Sequence, residues 1–393
     1  MPDIHLPSRD ASSPHDACYH GGAFFDAIGD EFDALARRHD VISADVLDAW
    51  FDPAPRVIDA LAAHLAWALR TSPPTSGDGM RRVIARARRV DADSVLPGAG
   101  SSDLIFLALR EWLHHDSRVL MLDPTYGEYA HVLERVISCQ VDRLTLDRAR
   151  GWAVDPDELS RRTEQGYDWV VLVNPNSPTG QHVPREILEA VMSRAPAHTR
   201  FWIDETYVEY AGAGQSLELF AARSPNVVIC KSMSKMYALS GVRAGYLCGP
   251  AALMRELRAV APPWSVSLPA QIAACEALRS VGYYRERWRE THALRAALAA
   301  ELRTLEWDVV SGCANFLLCH LPATQPDAAA LVAACRTRNL FLRDVREMGR
   351  CFDDRMVRVT VKDAETNRRM MDILRAVLAE LAGAPAVAVS RYG

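Results

Sequence analysis

The sequence lacks any apolar run approaching the roughly 18–20 residues that a membrane-spanning helix needs. Its first residues, 1–19, are polar and lack the charged-then-apolar pattern of a signal peptide. Its nine cysteines are an odd number and show neither a CxxC pair nor a Cys/His ligand spacing, which argues against a disulfide framework and against zinc. We therefore expect a cytoplasmic protein with reduced thiols, without a bound metal and without membrane contact.

A strong charge of one sign is also missing. The formal net charge is −5, from 45 basic and 50 acidic residues. A nucleic-acid or acidic membrane surface would require a basic face, and the arginines at 81–89 are typical of a solvated helix face. The partner expected is thus a small molecule. The length of 393 residues exceeds one compact core and suits about two domains.

Short apolar runs alternate with helical patterns between residues 90 and 250. They are rich in β-branched or aromatic residues and are not amphipathic, as expected of strands covered by helices on both faces. The runs are Val119–Leu122, Trp169–Val173, Phe201–Ile203, Val227–Cys230 and Ala244–Cys248. Helical patterns occupy Arg56–Leu69, Asp103–Leu113 and Arg185–Ser193. The fold class predicted is α/β, with a mostly parallel sheet covered by helices in a large domain.

The last third of the chain has a different pattern, which predicts a smaller α+β domain. A long helix is predicted first, then short strands and a closing helix, at Gln271–Leu302, Ala314–Cys319, Phe341–Arg343, Met356–Val361 and Thr366–Leu381. We predict three parts, namely an N-terminal arm over residues 1–40, a large domain over 41–270 and a small C-terminal domain over 271–393.

Polar residues follow directly after four of the apolar runs. These clusters begin at Asp123, Asn174, Asp204 and Lys231. In open α/β sheets, ligands bind outside the carboxyl ends of the strands. Any one cluster could be a turn, but four together predict a single binding site.

The segment 231–246 contains the strongest chemical signal. It reads Lys-Ser-Met-Ser-Lys-Met-Tyr-Ala-Leu-Ser-Gly-Val-Arg-Ala-Gly-Tyr. Lys235 can form an imine with an aldehyde cofactor, while Ser232, Ser234 and Arg243 can hold a dianionic phosphate. The segment resembles the cofactor-lysine motif of fold-type I pyridoxal 5′-phosphate (PLP) enzymes of the class I/II aminotransferase superfamily. The resemblance implies that Lys235 carries PLP and acts as the catalytic base at the α-carbon of an amino acid.

The other polar clusters resemble motifs of the same superfamily, in the same order. The segment Gly98-Ala-Gly-Ser-Ser-Asp103 opens a helix and resembles the family's phosphate cradle, which implies cofactor contacts for Gly100, Ser101 and Ser102. Tyr126 matches the aromatic residue that stacks on the cofactor. Asp204 would keep the ring nitrogen protonated, and Tyr207 would donate to the phenolate oxygen. Lys235, Asp204 and Tyr126 are the candidate catalytic residues.

Two further positions carry expectations from the resemblance. Ser177 stands where the family's Asn-Pro-Asn-Asn-Pro-Thr-Gly motif has a cofactor-contacting asparagine, and its shorter hydroxyl can still donate. Met356-Val-Arg-Val-Thr-Val361 alternates as a strand, with Arg358 and Thr360 on one face. The family has an arginine at this point that pairs with the substrate α-carboxylate, so Arg358 inherits that role.

Two branches of the superfamily, histidinol-phosphate aminotransferase and threonine-phosphate decarboxylase, resemble the chain most closely. Both use a second arginine for a substrate phosphate, matched by Arg343, and His20 matches a histidine of the decarboxylase that reaches the same phosphate. The segment 263–271 resembles a decarboxylase stretch. Departures occur at 44–53 and at Ser72, where both branches place a tyrosine that crosses a dimer interface. Trp50 and Phe51, within the first departure, are either a new substrate wall or core.

The resemblance implies a homodimer and, as the first expectation, transamination. Decarboxylation is the alternative, together with γ-elimination or replacement, or carbon–carbon bond formation on the same scaffold. A PLP-binding regulator without catalysis is a fourth reading, but such chains carry an extra DNA-binding domain for which the match, beginning near residue 18, leaves no room.

Overall fold

The computed structural model describes residues 21–29, 31–212 and 214–383. His20 therefore lies outside the described residues. The predicted N-terminal arm, residues 1–40, is described only over residues 21–29 and 31–40. Within the described part, no helix combines the length and the apolar character needed to cross a bilayer. The same part contains no group of three or more His, Cys, Asp or Glu residues with metal-binding geometry.

The α-helices are distributed along the whole described chain. In order they are α1 Phe25–Ile28, α2 Pro55–Arg70, α3 Asp78–Arg88, α4 Ser101–Trp112, α5 Gly127–Ala130, α6 Pro156–Thr163, α7 Arg185–Arg194, α8 Val208–Ala211, α9 Glu218–Ala221, α10 Ala251–Val260, α11 Leu268–Arg279, α12 Val281–Arg303, α13 Ala328–Arg336 and α14 Ala364–Gly383. Several begin at a side chain that caps free backbone N–H groups, such as Asp155 before α6 and Ser267 before α11.

The strands form three sheets. They are β1 Ile42–Ser43, β2 Val95–Gly98, β3 Arg118–Asp123, β4 Gln140–Thr145, β5 Trp169–Val173, β6 Arg200–Asp204, β7 Val227–Ser232, β8 Gly245–Cys248, β9 Asp308–Val309, β10 Phe316–His320, β11 Leu340–Phe341, β12 Arg343–Asp344 and β13 Met356–Thr360. The large sheet has the order β2-β8-β7-β6-β5-β3-β4, and a four-stranded sheet has the order β12-β13-β10-β9. β1 pairs in parallel with β11.

The central strands of the large sheet are buried on both faces, which explains their apolar composition, whereas the edge strand β4 is largely exposed. On β5 and β6, Val170 and Ile203 pack into one hydrophobic cluster, while Val171 and Trp202 pack into a second cluster on the opposite face. Strands β4, β3, β5, β6 and β7 run parallel, so the carboxyl ends of β3, β5, β6 and β7 meet at one edge. A mostly parallel, helix-covered sheet is confirmed.

Two details differ from the sequence-based expectations. The run at 244–248 is β8, and it pairs antiparallel with both β7 and β2, because the chain turns back after the Lys235 segment. The single long helix predicted over Gln271–Leu302 is two helices, because Ser280 leaves the helical region at φ −107° and ψ 26°. Ser and Gly, found at 280 and 282, are weak formers of helix interiors.

A third hydrophobic cluster lies among the C-terminal elements. It joins residues of α12, α13 and α14 to the four-stranded sheet, and it includes Ile42 and Ala44 from the start of the chain. The apolar face of α11, including Ala273 and Ala277, belongs instead to the cluster that contains Val57 of α2 and Ile84 of α3. The division of the chain at residues 40 and 270 stays a prediction.

Candidate active site

A cavity of about 180 Å³ opens at the carboxyl ends of the central strands. Loops that follow β3, β5, β6 and β7 bring side chains distant in sequence to it, as the strand-end polar clusters predicted. The predicted site residues that line this cavity are Ser101, Ser102, Tyr126, Ser177, Asp204, Tyr207, Ser232, Ser234, Lys235, Arg243 and Arg358.

One end of the cavity is a cradle of backbone N–H groups and hydroxyls at the start of α4. Gly100 precedes the helix at φ 94°, and a Cβ there would lie 2.8 Å from Nη2 of Arg243. Arg243 donates through Nη1 to the backbone oxygen of Ser240 at 2.9 Å and to Oγ of Ser234 at 3.4 Å. The first N–H groups of a helix lack intrahelical partners and attract anions. This end can therefore hold a phosphate.

A buried carboxylate lies at the end of β6. Asp204 accepts hydrogen bonds from the hydroxyl of Tyr129 at 2.8 Å, and from the hydroxyl and backbone N–H of Thr206 at 2.7 and 2.9 Å. Burial raises the pKa of Asp204 above its ordinary value, although the bonds from Thr206 and Tyr129 oppose that shift. A positively charged group beside it would lower this pKa and favour the carboxylate form.

Two tyrosines flank this carboxylate. The hydroxyl of Tyr126 donates to Oε2 of Glu128 at 2.7 Å, and this bond fixes the phenol in the loop that follows β3. Tyr207 is buried against Phe316, with ring centroids 5.4 Å apart in an edge-to-face arrangement. Burial raises the pKa of both phenols, so both are protonated hydrogen-bond donors at neutral pH.

Lys235 contacts an acid that the sequence reasoning did not single out. Its Nζ lies 2.8 Å from Oδ1 of Asp48, and the same oxygen accepts a 2.6 Å hydrogen bond from Ser240. Burial lowers the pKa of Lys235, and the Asp48 carboxylate opposes part of this shift. Asp48 lies in the segment 44–53, which departs from the family pattern.

Arg358 extends from β13 to the other side of the cavity. Its Nη2 donates to the backbone oxygen of Asp45 at 3.0 Å, and its Nη1 donates to Oγ of Ser177 at 3.2 Å. Burial lowers the pKa of Arg358 to about 10. Its Nε is buried and, among the described residues, has no hydrogen-bond partner. Ser177 is thus engaged with this arginine, and Arg358 keeps a donor for an anion.

Arg343 lies next to Arg358 but lines a different cavity. The two arginines are direct partners across the antiparallel β12–β13 pair, and their charges repel enough to depress the pKa of Arg358 further. Arg343 is buried and lines a separate space of about 160 Å³ with Arg336 and Arg346. The structure therefore brings Arg343 beside the candidate site without making it a wall of the main cavity.

Some residues at the site were not predicted from the sequence. Conversely, the two aromatic residues considered for the substrate wall lie away from the cavity. Thr206, Val46 and Leu47 line the cavity, and Asp48 contacts Lys235. Thr206 stands in the polar cluster that begins at Asp204, whereas no local motif marks Val46, Leu47 and Asp48, whose segment is far from Lys235 in the chain. Phe51 is core and packs against Tyr284, and Trp50 donates to Thr291 at 2.8 Å. The two aromatic residues do not line the main cavity.

Lys231, at the start of the lysine motif, belongs to a buried ion network beneath the site. It pairs with Glu209 at 2.8 Å and lies 3.8 Å from Glu205. Arg88 pairs with Glu209 and Glu218 in the same network. Burial raises the pKa of Glu205 to about 7. These charges sit behind β7 and support the strand from which the Lys235 loop departs.

The donor set fits PLP. A phosphate cradle, a buried carboxylate, protonated phenols and a lysine amine line one cavity, and the unpartnered Nε of Arg358 provides a donor on its far side. The close backbone packing of Gly245 keeps the cradle open, since a Cβ there would lie 2.9 Å from the backbone of Gly100 and Ser101. Each polar part of the cofactor would meet a group of complementary charge or hydrogen-bonding type.

Comparisons with known proteins show the family to which the chain is similar. Residues 46–376 match the family described as aminotransferase class I and II. A histidinol-phosphate aminotransferase 2 of Dechloromonas aromatica (strain RCB) is 31% identical over 340 residues, which cover 83% of this chain and 90% of the relative.

Solved structures share the fold at lower sequence identity. The histidinol-phosphate aminotransferase of Sinorhizobium meliloti in complex with pyridoxal-5′-phosphate has a TM-score of 0.75 and 20% identity, covering 93% of this chain and 98% of that one. The L-threonine-O-3-phosphate decarboxylase of Porphyromonas gingivalis has a TM-score of 0.73 and 22% identity, covering 84% and 98%.

Proposed function

The chain belongs to the aminotransferase class I and II family and is a PLP-dependent aminotransferase, and on that premise we propose that it transfers the amino group of a substrate carrying an anionic group to PLP held on Lys235. Histidinol phosphate or a close analogue is the first candidate, because it is the named substrate of the Dechloromonas relative. The observation that carries the proposal is that Lys235, Asp204 and Arg358 face one cavity.

The residues divide the work by position. We propose that Ser101, Ser234 and Arg243 bind the cofactor phosphate and that Asp204 pairs with the ring nitrogen. Bound PLP supplies an electron sink for the bond that breaks at the α-carbon. Tyr126 and Tyr207 contribute neutral donors and apolar ring faces, which support a water-poor site.

Substrate orientation would depend on Arg358. Its guanidinium is buried and fixed by Asp45 and Ser177, so an anionic group placed there would be held in one orientation relative to Lys235. The freed amine of Lys235 would then take a proton from the α-carbon and deliver it to the cofactor carbon. Arg343, beside Arg358, is the candidate for adding a second positive charge toward a phosphate.

The experiment is a single-turnover screen. The PLP-loaded protein is mixed with histidinol phosphate, with common amino acids and with O-phospho-amino acids, without an oxo-acid acceptor, and cofactor absorbance and product mass are followed. We expect conversion of PLP to its pyridoxamine form, together with a carbonyl product, for histidinol phosphate or another anionic amine. Loss of carbon dioxide with return of PLP would identify a decarboxylase instead. Elimination products or silence across the panel would contradict the proposal.

Two further features belong to the proposal. We propose a homodimer, supported by exposed apolar side chains on α2, where Ile58, Leu65 and Trp67 are each 48% exposed and Leu69 is 71% exposed. The eight cysteines of the described residues are free thiols, which supports a location in the reducing cytoplasm.

A further inference from the structure

Asp48 joins the Lys235 loop to a segment far away in sequence. One of its carboxylate oxygens, Oδ1, accepts both from the ammonium of Lys235 at 2.8 Å and from the hydroxyl of Ser240 at 2.6 Å. Its other oxygen, Oδ2, accepts no hydrogen bond from the part of the chain that is described. The side chain of Asp48 is 40% exposed and that of Lys235 is 19% exposed, so the pair lies at the rim of the cavity.

A second lysine, Lys362, follows two residues after the end of β13, and its charge acts on the same carboxylate. Val357, Val359 and Val361 all pack into the C-terminal hydrophobic cluster, so Arg358 and Thr360 lie on the opposite face of β13, and Arg358 lines the cavity. Thr360 donates to the backbone oxygens of Ala44 and Val46, which fixes the segment carrying Asp48 against this face. Lys362 is partly buried, and its ammonium has no ion-pair or hydrogen-bond partner among the described residues.

The charges of the three groups are coupled. Burial raises the pKa of Asp48, but Lys235, Ser240 and Lys362 outweigh that effect and leave the pKa below its ordinary value. Burial lowers the pKa of Lys362 to about 8, with Asp48 opposing the shift and Lys235 adding to it. The other charged or titratable groups facing this trio are Asp45, Tyr207, Arg243, Arg358 and Asp363. Asp48 is thus an anion whose charge acts on both lysines.

We propose that Asp48 is a positioning residue shared by two lysines, holding the ammonium of Lys235 while that side chain is free and pairing with Lys362 when Lys235 is covalently occupied. The inference rests on the proposed function of Lys235. Attachment consumes the neutral amine, so the ammonium first loses a proton. The nitrogen then bonds to the cofactor aldehyde carbon, and the aldehyde oxygen leaves as water. Asp48 therefore sets the pH at which Lys235 becomes available, and Lys362 keeps the carboxylate neutralised afterwards.

The test measures capture of PLP by the cofactor-free protein as a function of pH. The rate is followed by cofactor absorbance, and the affinity by titration. The variants are Asp48→Asn and Lys362→Met, with Asp48→Glu as the charge-conserving variant and Asp91→Asn, at an exposed position before β2, as the background charge control. Borohydride reduction and peptide mass spectrometry identify the lysine that carries the cofactor.

Opposite shifts are expected from the two variants. In Asp48→Asn the ammonium of Lys235 loses its partner, so the pH midpoint of capture falls by about one unit and capture below the wild-type midpoint is about tenfold faster. In Lys362→Met the repulsion on Lys235 is removed, so the midpoint rises, and PLP affinity falls because Asp48 is left unpaired. Asp48→Glu and Asp91→Asn should keep the wild-type midpoint.

The outcomes separate two possible failures. If reduction labels another lysine, or none, in the wild-type protein, the proposed function of Lys235 is wrong. If Lys235 is labelled but the midpoints of wild type, Asp48→Asn and Lys362→Met coincide or shift in the same direction, only the shared-anion inference is overturned. Circular dichroism and thermal melts establish that each variant is folded, so a misfolded variant is replaced by Asp48→Ser or Lys362→Gln in the same assay.

Discussion

Asp204 makes the clearest link between one residue and the chemistry of the site. It is 3% exposed and held by three hydrogen bonds from Tyr129 and Thr206. We expect Asp204→Asn to lower the single-turnover rate by at least about a hundredfold, because an amide cannot keep a neighbouring ring nitrogen protonated. Thr206→Val is the matched control, since it removes one hydrogen bond but keeps the charge and should cost less than about tenfold. Equal losses in both variants would contradict this role.

Lys235 is the second test at the residue scale. We expect Lys235→Ala to abolish turnover and the visible absorbance of protein-bound PLP, because alanine offers neither an attachment point nor a base. Rates with the best substrate of the screen and the visible spectrum of the loaded protein are the measurements. Lys362→Met is the control, and it should retain the absorbance at saturating PLP. Measurable turnover in Lys235→Ala would overturn the assignment.

Lys362 gives a prediction about stability and pH. Its pKa is lowered by burial from 10.5 to about 8, so between those values the unfolded chain binds a proton that the folded chain does not. Stability therefore rises as pH increases through this window, and at pH 7 the ammonium carries a penalty on the order of 1–3 kcal/mol. We expect Lys362→Met to be more stable than wild type at pH 7, with the gap narrowing from pH 8 to 10. Urea unfolding at several pH values measures it, and a constant gap would refute the explanation.

The sequence predicted the site residues that stand in recognisable motifs, but not the residues Asp48 and Lys362 near them. Lys235, Asp204 and Arg358 stand in motifs with fixed order, and the structure brings all three to one cavity. Lys362 follows two residues after the end of β13, so the strand alternation does not place it. Asp48 carried no such signal, because its contact with Lys235 spans 187 positions and depends on tertiary packing.

At the scale of elements, the cradle at the start of α4 depends on the close approach of two strand ends. We expect Gly245→Ala to weaken PLP binding about tenfold and to destabilise the fold by about 1–3 kcal/mol, because its Cβ would lie 2.9 Å from backbone atoms of Gly100, Ser101 and Lys231. Gly282→Ala is the matched control, since nothing lies within 4 Å of a Cβ there. Fluorescence titration with PLP and thermal melts are the measurements, and equal behaviour of the two variants would argue against a backbone cradle.

The sequence predicted the positions of the buried strands better than the direction of the strands or the break between α11 and α12. Apolar runs located β5 at the same residues that the structure gives, Trp169–Val173, because both sheet faces are covered. The antiparallel direction of β8 has no local signature, since strand composition is similar in both directions. The break at Ser280 was missed because the apolar spacing continues from α11 into α12, and Tyr284 and Trp288 of α12 pack into the same hydrophobic cluster as α11.

At the scale of the whole molecule, the homodimer that we propose would use the exposed apolar face of α2. We expect Leu69→Glu to raise the dimer dissociation constant by at least about tenfold, because burying one leucine contributes about 1.5–3 kcal/mol and a charge there would stay solvated. Light scattering after gel filtration over a range of concentrations measures it. Leu219→Glu, on α9 and 42% exposed, is the control. A wild-type monomer that turns over substrate would show that the dimer is not needed.

The fold class and the position of the site were predictable from sequence, whereas the substrate was not. The alternation of apolar runs and helical patterns is enough for a helix-covered parallel sheet, and polar residues at strand ends are enough for one site. Under the proposed function, the choice among anionic amines would depend on the relative positions of Arg343, Arg358 and the segment 44–53. That arrangement is set by sheet pairing and by contacts between distant segments, which leave no periodic pattern in the chain.

The pairing of β7 with β8 has a consequence for protein engineering. Ser232 and Gly245 are direct partners, and the backbone N–H of Met233 bonds to the oxygen of Ala244 at 3.0 Å, so the Lys235 segment leaves and re-enters the sheet at one point. Its ends are already closed by the sheet, and a change of length between them adds little chain entropy. An exchange of this segment between relatives would therefore cost little in loop closure, provided that its buried residues Met233, Met236 and Tyr237 keep their places in the core.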